Sequence, residues 1–328
     1  MPISFNSPSK QAIRNNWGSP LLKFISNKLN NKLFYLGLPS SEAEDIKTWI
    51  EYLYKVYAFQ CRIYPIPSDD TQPRDEILKL ERCLLDLERE KKIETFEVFD
   101  GYIEEVLING KDNSPNTKEF LQNDIVTLYN LDFCNQITEP QKFVDGNGKK
   151  NYAYKMDALK KLIEFQSKVA NKSSKFILFF TIHTNYKADS LNYFIKSPKS
   201  QFLSDYFIKL EGLKKSEAGK RILRAFIYDK INSIFSHYGF ISEFLPVINY
   251  TGNGGHRLLH FTVIGAKLKT EASKAIAFQK IEDFISEKFI DITGNAFQNI
   301  LSKIDEKDVN VNPLTAFMNS QTFKKLWV

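Results

Sequence analysis

Short apolar runs alternate with amphipathic stretches through most of the chain. Five runs predict strands, at Leu33–Leu36, Val56–Ile63, Thr95–Phe99, Asp124–Leu131 and Lys175–Ile182. Apolar residues at helical spacing separate these runs, at residues 40–53, Asp75–Lys91, Tyr102–Leu107 and Asp157–Val169. The first of these helices is expected to be capped by Ser40 or Ser41. Repeated strand–helix units predict a parallel sheet with helices on both faces.

The pattern changes in the second half of the chain. Residues 186–238 predict two or three helices, and two further strands are predicted at Phe240–Tyr250 and Arg257–Ala266. The glycine-rich residues 251–256 between them predict a hairpin and not a crossover. We therefore predict an α/β fold with a Rossmann-like, doubly wound, seven-stranded sheet. Five or six strands are parallel, and an antiparallel C-terminal strand lies in a hairpin.

Helices outside the sheet region complete the prediction. Residues 1–30 predict a polar tail and an amphipathic helix broken around Gly18, and helices are expected near 271–289 and 293–304. The predicted organisation is a tail and helix over 1–30, a Rossmann-like domain over 31–268 and a helical extension over 269–328. Within that domain, residues 185–238 form a helical and basic segment.

Composition limits the class of protein. The apolar fraction is 43%, with 27 Phe and 15 Tyr among 328 residues, so the chain can bury a substantial core. No apolar segment follows Met1, and the run Phe176–Ile182 is far shorter than the roughly 20 residues that span a bilayer. Three cysteines without CxxC spacing indicate neither a disulfide framework nor a metal site. We expect a cytoplasmic protein without a membrane partner or a metal.

Positive charge is concentrated in two regions. The net charge is +6, residues 1–30 hold four Lys or Arg and no acid, and residues 185–232 hold ten Lys or Arg against five acids. Basic regions of this kind attract polyanions, so nucleic acid is one expected partner. Solvated helix faces rich in lysine are the alternative explanation.

The order of elements over residues 31–267 resembles that of the class I S-adenosylmethionine-dependent methyltransferases. The feature that carries the resemblance is the sixth strand, joined by a hairpin to an antiparallel seventh, after five strand–helix units. The resemblance implies S-adenosylmethionine as cofactor and methyl transfer as activity. It also implies a site at the carboxyl ends of the strands, where open α/β sheets bind ligands.

The cofactor side of that site follows the first three strands. The candidate cofactor-binding residues are Gly37, Leu38, Pro39, Gln60, Asp100 and Gly101. The resemblance implies a backbone turn at Gly37, a ribose contact at Gln60 and an adenine contact at Asp100. The family's turn has more glycines, and an acid usually stands at the position of Gln60. Ordinary turn residues at strand ends are the alternative for each.

The acceptor side follows the fourth strand, in Tyr129-Asn-Leu-Asp-Phe-Cys134. By resemblance to amino-methylating members, Asn130 accepts a hydrogen bond from a target amine and Phe133 stacks on a base. Asp132 is a candidate general base. Leu131 and Asp132 replace the two prolines of the family's pattern, and a structural turn is the alternative.

Four further residues are candidates for substrate binding at the same edge. His183 and Asn185 follow the fifth strand, and His256 and Arg257 close the glycine-rich hairpin. Glycine amides with a neighbouring cation can bind phosphate. A flexible hairpin and a hydrogen-bonded loop histidine are the alternatives.

Three functions compete at this stage. The first is a methyltransferase that acts on nucleic acid. The second is a catalytically inactive methyltransferase-like subunit that binds nucleic acid or a protein partner. The third keeps the sheet but uses another nucleotide or a small-molecule acceptor. Fold alone does not choose among them.

Overall fold

The structure is a computed structural model that falls into two compact units. Unit 1 is Met1–Asp132 with Pro140–Val169, and unit 2 is Phe133–Glu139 with Ala170–Val328. The described residues are 7–60, 75–133, 136–144, 149–171, 174–184, 189–252, 255–267, 280–286 and 289–292. Several residues that entered the predictions lie outside them: Cys61, Cys134, Asn185 and most of the extension over 269–328.

Unit 1 begins with helices and continues as alternating strands and helices. Its helices are α1 (Pro8–Ile13), α2 (Ser19–Leu29), α3 (Glu44–Thr48), α4 (Asp75–Arg89), α5 (Ile103–Asn109) and α6 (Lys155–Val169). A π-helical turn, Arg14–Gly18, joins α1 to α2, and a 3₁₀ turn, Ile50–Tyr52, follows α3. Its strands are β1 (Leu33–Gly37), β2 (Leu53–Gln60), β3 (Thr95–Asp100), β4 (Leu128–Asp132), β5 (Gln141–Val144) and β6 (Lys150–Ala153).

Four strands of unit 1 form a parallel array in the order β4-β1-β2-β3. All five residues of β1 are buried, as expected for a parallel strand covered on both faces. The carboxyl ends of β1, β2, β3 and β4 therefore meet at one edge, which carries Gly37, Gln60, Asp100 and Asn130. A separate antiparallel hairpin, β5–β6, precedes α6.

Unit 2 contains the remaining elements. Its helices are α7 (Asp189–Lys196), α8 (Gln201–Leu210), α9 (Lys215–His237) and α10 (Ile281–Ser286). Its strands are β7 (Lys175–His183), β8 (Phe240–Phe244), β9 (Ile248–Thr251), β10 (Arg257–Lys267) and β11 (Ile290–Ile292). Strand β10 is antiparallel to β7, β8 and β9, and β11 is parallel to β9. No helix in the described ranges combines the length and the apolar character needed to cross a bilayer.

The predicted fold class is confirmed: an α/β fold with a mostly parallel sheet, an antiparallel strand in a hairpin and additional helices. The predicted strand Phe240–Tyr250 is divided into β8 and β9 around Pro246, which has no N–H for a strand ladder. Strand β8 pairs with Val263–Lys267 and β9 pairs with Arg257–His260, so both lie along β10. With β11, the described strands exceed the predicted seven.

Three local predictions in unit 1 were wrong. Helix α3 begins at Glu44 after Ala43, whose φ is 51°, and no side chain caps it, so neither Ser40 nor Ser41 is the cap. The helix also ends early, and Leu53 begins β2 where a helical residue was expected. The helical segment near Gly18 is not broken, because the π-helical turn carries it into α2.

Gly265 in β10 provides a test of the packing in unit 2. A Cβ at this position would lie 2.2 Å from the ring of Phe176, which is buried between Phe235 and Phe240. Because that ring has no room to move, we expect Gly265→Ala to reduce the free energy of unfolding by about 1–3 kcal/mol. Chemical denaturation measures the loss.

The matched control is Gly212→Ala, since a Cβ at Gly212 meets nothing within 4 Å. Its stability should stay within about 0.5 kcal/mol of that of the unsubstituted protein. Equal stability of the two variants would contradict the packing described for β7 and β10.

Candidate functional site

The ends of β1 and β4 approach each other at Gly37 and Asn130. The Leu38 N–H donates to the carbonyl oxygen of Asn130 at 3.0 Å. A Cβ at Gly37 would lie 2.5 Å from that oxygen and 2.6 Å from the Tyr35 hydroxyl oxygen. Only glycine therefore fits at the end of β1 while β4 remains this close.

A buried carboxylate connects the same two strands. Asp45, at the start of α3, is 4% exposed, and its Oδ2 accepts hydrogen bonds from the Tyr35 hydroxyl at 2.5 Å and from Asn130 Nδ2 at 2.6 Å. Asn130 Nδ2 also lies 3.3 Å from the Tyr35 oxygen. Burial raises the pKa of Tyr35 well above its usual value, and Asp45 raises it further. The tyrosine thus stays neutral and donates to the carboxylate.

This network fixes the orientation of the Asn130 amide. A carboxylate only accepts hydrogen bonds, so the NH₂ group of Asn130 must face Asp45. The Oδ1 atom then points away from Asp45, and within the described ranges no hydrogen bond to this atom is found. Asn130 is half-buried, so its side chain can be reached from solvent. The result is a fixed acceptor at the carboxyl end of β4.

Asp132 has a cationic neighbour from the N-terminal helix. Lys10 Nζ of α1 forms a hydrogen-bonded ion pair with Asp132 Oδ2. The two side chains are 14% and 25% exposed, so the pair is largely shielded from solvent. No local pattern predicts this pair, because 122 positions separate the two residues. Lys10 competes for the carboxylate that was predicted as a general base.

Phe133 belongs to unit 2 and is 4% exposed. Its ring packs edge-on against Phe180 with centroids 5.5 Å apart, and its N–H donates to the Thr181 carbonyl at 3.1 Å. The described contacts of Phe133 are those of a core residue. Its predicted stacking on a base stays untested.

The predicted cofactor turn offers few backbone donors. The Leu38 N–H is already bonded to Asn130, and Pro39, which is buried, has no N–H. Gln60 is half-buried at the end of β2, beside Asp100 in the register of β2 with β3. The Gly101 N–H donates to the Gln60 carbonyl at 3.1 Å. Gln60 and Asp100 are the residues of the predicted cofactor set with polar side chains, and Gln60 is the more accessible of the two.

A loop closes over Asp100, which is 4% exposed. Its centre is Asp112, which accepts hydrogen bonds from the Asp100 N–H at 3.2 Å, the Ser114 hydroxyl at 2.8 Å and the Lys118 N–H at 2.7 Å. Gly101 has a φ of 139°, and a Cβ there would lie 3.0 Å from Asn113 Nδ2. Sequence analysis did not single out Asp112, although its Asp-Asn-Ser-Pro context is typical of a turn.

Two glutamates lie at the start of α5, next to Gly101. Burial raises the pKa of Glu104, and the positive charge of Lys155 partly offsets this effect. Burial also raises the pKa of Glu105, and Asp100 raises it further. The charged forms of the Glu104 and Glu105 carboxyl groups are therefore disfavoured.

In unit 2 the structure brings together three of the four predicted substrate residues. His183 ends β7, and its ring centroid lies 5.0 Å from that of His256. The Thr184 N–H donates to the Arg257 carbonyl at 3.0 Å, which ties the end of β7 to the start of β10. Asn185 lies outside the described residues.

Sequence analysis missed a cavity in unit 2. It has a volume of about 210 Å³ and is lined by Lys220, Asn249, Tyr250, Thr251, Arg257, Asp291 and Ile292. Lys220 pairs with Glu217 at 2.8 Å, and Asn249 donates to Asp291 at 2.5 Å, so its charges are mixed. Across the described part of the chain, no group of three or more His, Cys, Asp or Glu side chains can hold a metal ion.

Residues 5–204 match the sequence model of the PP_RS20740-like family. The chain belongs to the PP_RS20740-like family. The match includes Gly37, Asp45 and Asn130, the residues that join β1 to β4. A comparison with curated proteins gives no significant match.

Solved structures similar to this PP_RS20740-like protein include several methyltransferases, as the resemblance predicts. One is a Listeria monocytogenes protein assigned by its name to the class I S-adenosylmethionine-dependent methyltransferases, with 11% identity, 90% of this chain and 70% of that chain covered, and a TM-score of 0.39. A Pyrococcus horikoshii protein named as an RNA methyltransferase has 10% identity, coverage of 80% and 87%, and a TM-score of 0.34. TYW2 of M. jannaschii, solved with S-adenosylmethionine, has 9% identity, coverage of 78% and 77%, and a TM-score of 0.33. At TM-scores this low, inferences about the site rest on the chain's own residues.

Tyr35→Phe tests the network that joins β1, α3 and β4. The substitution leaves the Asp45 carboxylate buried with one donor fewer. Because an unsatisfied buried acceptor is costly, the free energy of unfolding should fall by about 1–3 kcal/mol in chemical denaturation. Tyr52→Phe, at a half-buried position, is the control and should change stability by less than about 0.5 kcal/mol. Equal losses of stability in Tyr35→Phe and Tyr52→Phe would contradict the hydrogen bonds described for Tyr35, Asp45 and Asn130.

Glu104→Gln tests the buried carboxyl group through its pH dependence. The folded pKa of Glu104 is raised, so its stabilising contribution is full below the unfolded pKa and is lost as pH rises through the folded pKa. The glutamine variant does not titrate, so its Tm relative to the unsubstituted protein should rise as the pH increases from about 4 through the folded pKa of Glu104. The exposed Glu119→Gln should show no such trend. A Tm difference between Glu104→Gln and the unsubstituted protein that does not change with pH would contradict the raised pKa of Glu104.

Proposed function

We propose that this PP_RS20740-like protein is an S-adenosylmethionine-dependent methyltransferase that acts on an amino group in nucleic acid. The observation that carries the proposal is the fixed Asn130 amide, whose oxygen points away from Asp45 at the carboxyl end of β4. This oxygen can accept a hydrogen bond from an N–H of the acceptor and orient its nitrogen. Its rigidity comes from the buried Asp45 and Tyr35.

The residues at the edge of unit 1 fit the cofactor in part. Gln60, half-buried at the end of β2, can hydrogen-bond a ribose hydroxyl, and Asp100 beside it is the proposed adenine contact. The turn Gly37, Leu38 and Pro39 would lie along the amino-acid part, with the Leu38 N–H already used by Asn130. When bound, S-adenosylmethionine would supply the electrophilic methyl group.

The acceptor nitrogen must lose a proton when it gains a methyl group. Asp132 ends β4 two residues after Asn130, and its carboxylate is the nearest proposed base along the strand. Lys10 pairs with this carboxylate, so the acceptor proton would have to compete with the lysine for it. A base in this position would receive the proton while Asn130 holds the acceptor.

Nucleic acid as substrate is supported by the basic segment of unit 2. Within residues 185–232, exposed lysines include Lys196, Lys209, Lys214 and Lys215. Two other cations of the segment are structural: Arg224, 1% exposed, donates to the Ile285 carbonyl, and Lys220 pairs with Glu217. The proposed phosphate contacts at His183, His256 and Arg257 belong to the same unit.

A catalytically inactive binding subunit is the second candidate. Specific observations favour it: the Leu38 N–H is used internally, the space beside Gly37 is filled by Tyr35 and Asn130, and Lys10 occupies Asp132. Such a protein would bind nucleic acid or a protein partner without the cofactor. Cytoplasmic location stays a prediction under either function.

A thermal-shift titration with S-adenosylmethionine and S-adenosylhomocysteine separates the two candidates. Ligand at about 100 times its Kd adds about 2.7 kcal/mol, which should raise the Tm by roughly 2–4 °C. Gln60→Asp introduces a charged acceptor for the ribose hydroxyls, so it should bind both ligands more tightly, whereas Gln60→Ala should bind them more weakly. Gln141→Asp on β5 is the matched control and should not change affinity.

Asn130→Ala should keep cofactor affinity within about twofold and lose methyl transfer to a nucleic-acid acceptor by about 10²-fold or more. No Tm shift at millimolar ligand, together with unchanged behaviour of both Gln60 variants, would contradict the enzyme and favour the binding subunit. Transfer that survives Asn130→Ala would contradict the role of Asn130 alone.

A further inference from the structure

The hairpin β5–β6 of unit 1 has one buried and one exposed face. Phe143 and Ala153 are 7% and 0% exposed, and the hairpin packs on α5. The alternate positions face solvent: Lys142, Lys150 and Tyr152 are all exposed, and Tyr152 is 60% exposed. Tyr154, just beyond the end of β6, is 44% exposed. Residues that are opposed or two apart in a hairpin lie on the same side, so Lys142, Lys150 and Tyr152 share one face.

Charge and aromatic surface are interleaved on this face. Lys142 lies directly opposite Tyr152 in the hairpin register, and Lys150 precedes Tyr152 by two residues. Acids border the hairpin on both sides in the sequence: Glu139 is exposed two residues before β5, and the Asp157 carboxylate accepts a hydrogen bond from the Tyr154 N–H at 3.0 Å. The face, with Tyr154 beside it, presents two lysines and two accessible tyrosine rings.

We propose that the face formed by Lys142, Lys150 and Tyr152, together with Tyr154 beside it, binds single-stranded nucleic acid. Exposed aromatic rings stack on unpaired bases, and adjacent lysines neutralise the backbone phosphates. Bases that are paired and stacked in a duplex cannot stack on a protein ring, so the exposed tyrosines suit unpaired bases. Binding by this face does not require the cofactor, and only its use in presenting an acceptor strand rests on the proposed function.

The test is a fluorescence-anisotropy titration of the full chain with a labelled 12-nucleotide single strand, and with the same sequence as a duplex, in the absence of cofactor. We expect the single strand to bind more tightly than the duplex. Tyr152→Ala and Tyr154→Ala should each weaken single-strand binding by at least about fivefold, while the Phe variants, which keep the ring, should bind within about twofold of the unsubstituted protein. Leu121→Ala, at a 56% exposed position of unit 1 outside both this face and the basic segment of unit 2, is the control and should have no effect.

The lysines have a separate readout. Replacing both Lys142 and Lys150 by Gln should reduce the slope of log K against log salt by about 1.4, from two phosphate contacts on a single strand. Circular dichroism and Tm of each variant show whether the hairpin remains folded, and the Phe variants test the rings without removing their packing.

Three results would overturn the proposal: no single-strand binding, alanine variants that bind as tightly as the unsubstituted protein, or displacement of the strand by polyglutamate at equal charge. Because cofactor is absent from the titration, failure of S-adenosylmethionine binding leaves this test unaffected. Tyrosine-dependent single-strand binding by a chain that does not bind cofactor would support the face and overturn the proposed enzyme.

Discussion

The close approach of β1 and β4 at Gly37 is the constraint on which the candidate site depends. No side chain other than hydrogen fits between the Gly37 backbone, the Asn130 carbonyl and the Tyr35 hydroxyl. Because the strands meet here, the Asp45 carboxylate can accept hydrogen bonds from both Tyr35 and Asn130, so the polar groups that the junction buries have partners. A larger residue at position 37 would separate the strand ends and release Asn130 from its orientation.

The same junction explains why the edge differs from a glycine-rich cofactor turn. The backbone donor and the space that a ligand would use beside β1 are already taken: the Leu38 N–H donates to Asn130 of β4, and the Asn130 carbonyl and the Tyr35 side chain of β1 lie against Gly37. The end of the first strand therefore offers few contacts to a ligand, whereas the end of the fourth strand presents the fixed side-chain oxygen of Asn130. Cofactor affinity would then depend on Gln60 and the loop around Asp100. Positioning of the substrate would depend on Asn130. Lys10 adds a second constraint, because α1 must stay in place for Asp132 to keep its partner.

The strands of the sheet could be predicted because their apolar runs are long and buried on both faces. The hairpin β5–β6 was missed because its strands have only four residues each and one exposed face. The Asp145-Gly-Asn-Gly148 sequence between them is typical of a turn, but it does not by itself indicate strands. The division at Pro246 was readable from the sequence but was outweighed by the apolar residues around it. Contacts of Asn130 with Asp45 and of Lys10 with Asp132 span 85 and 122 positions, and no local pattern encodes them. Gly37, Gln60, Asp100 and Asn130 of unit 1 therefore lie at the carboxyl ends of their strands as expected, but the partners of these residues are known only from the fold.

A crystal structure of the protein grown with saturating S-adenosylhomocysteine tests the central claim most directly. The account predicts ligand density along the carboxyl ends of β1 and β2, with the ribose hydroxyls within hydrogen-bond distance of Gln60 and with Asn130 Oδ1 facing the sulfur side of the ligand. Asn130 should keep its NH₂ group on Asp45. An empty edge at saturating ligand, or density bound elsewhere, would contradict the claim that this edge holds the cofactor.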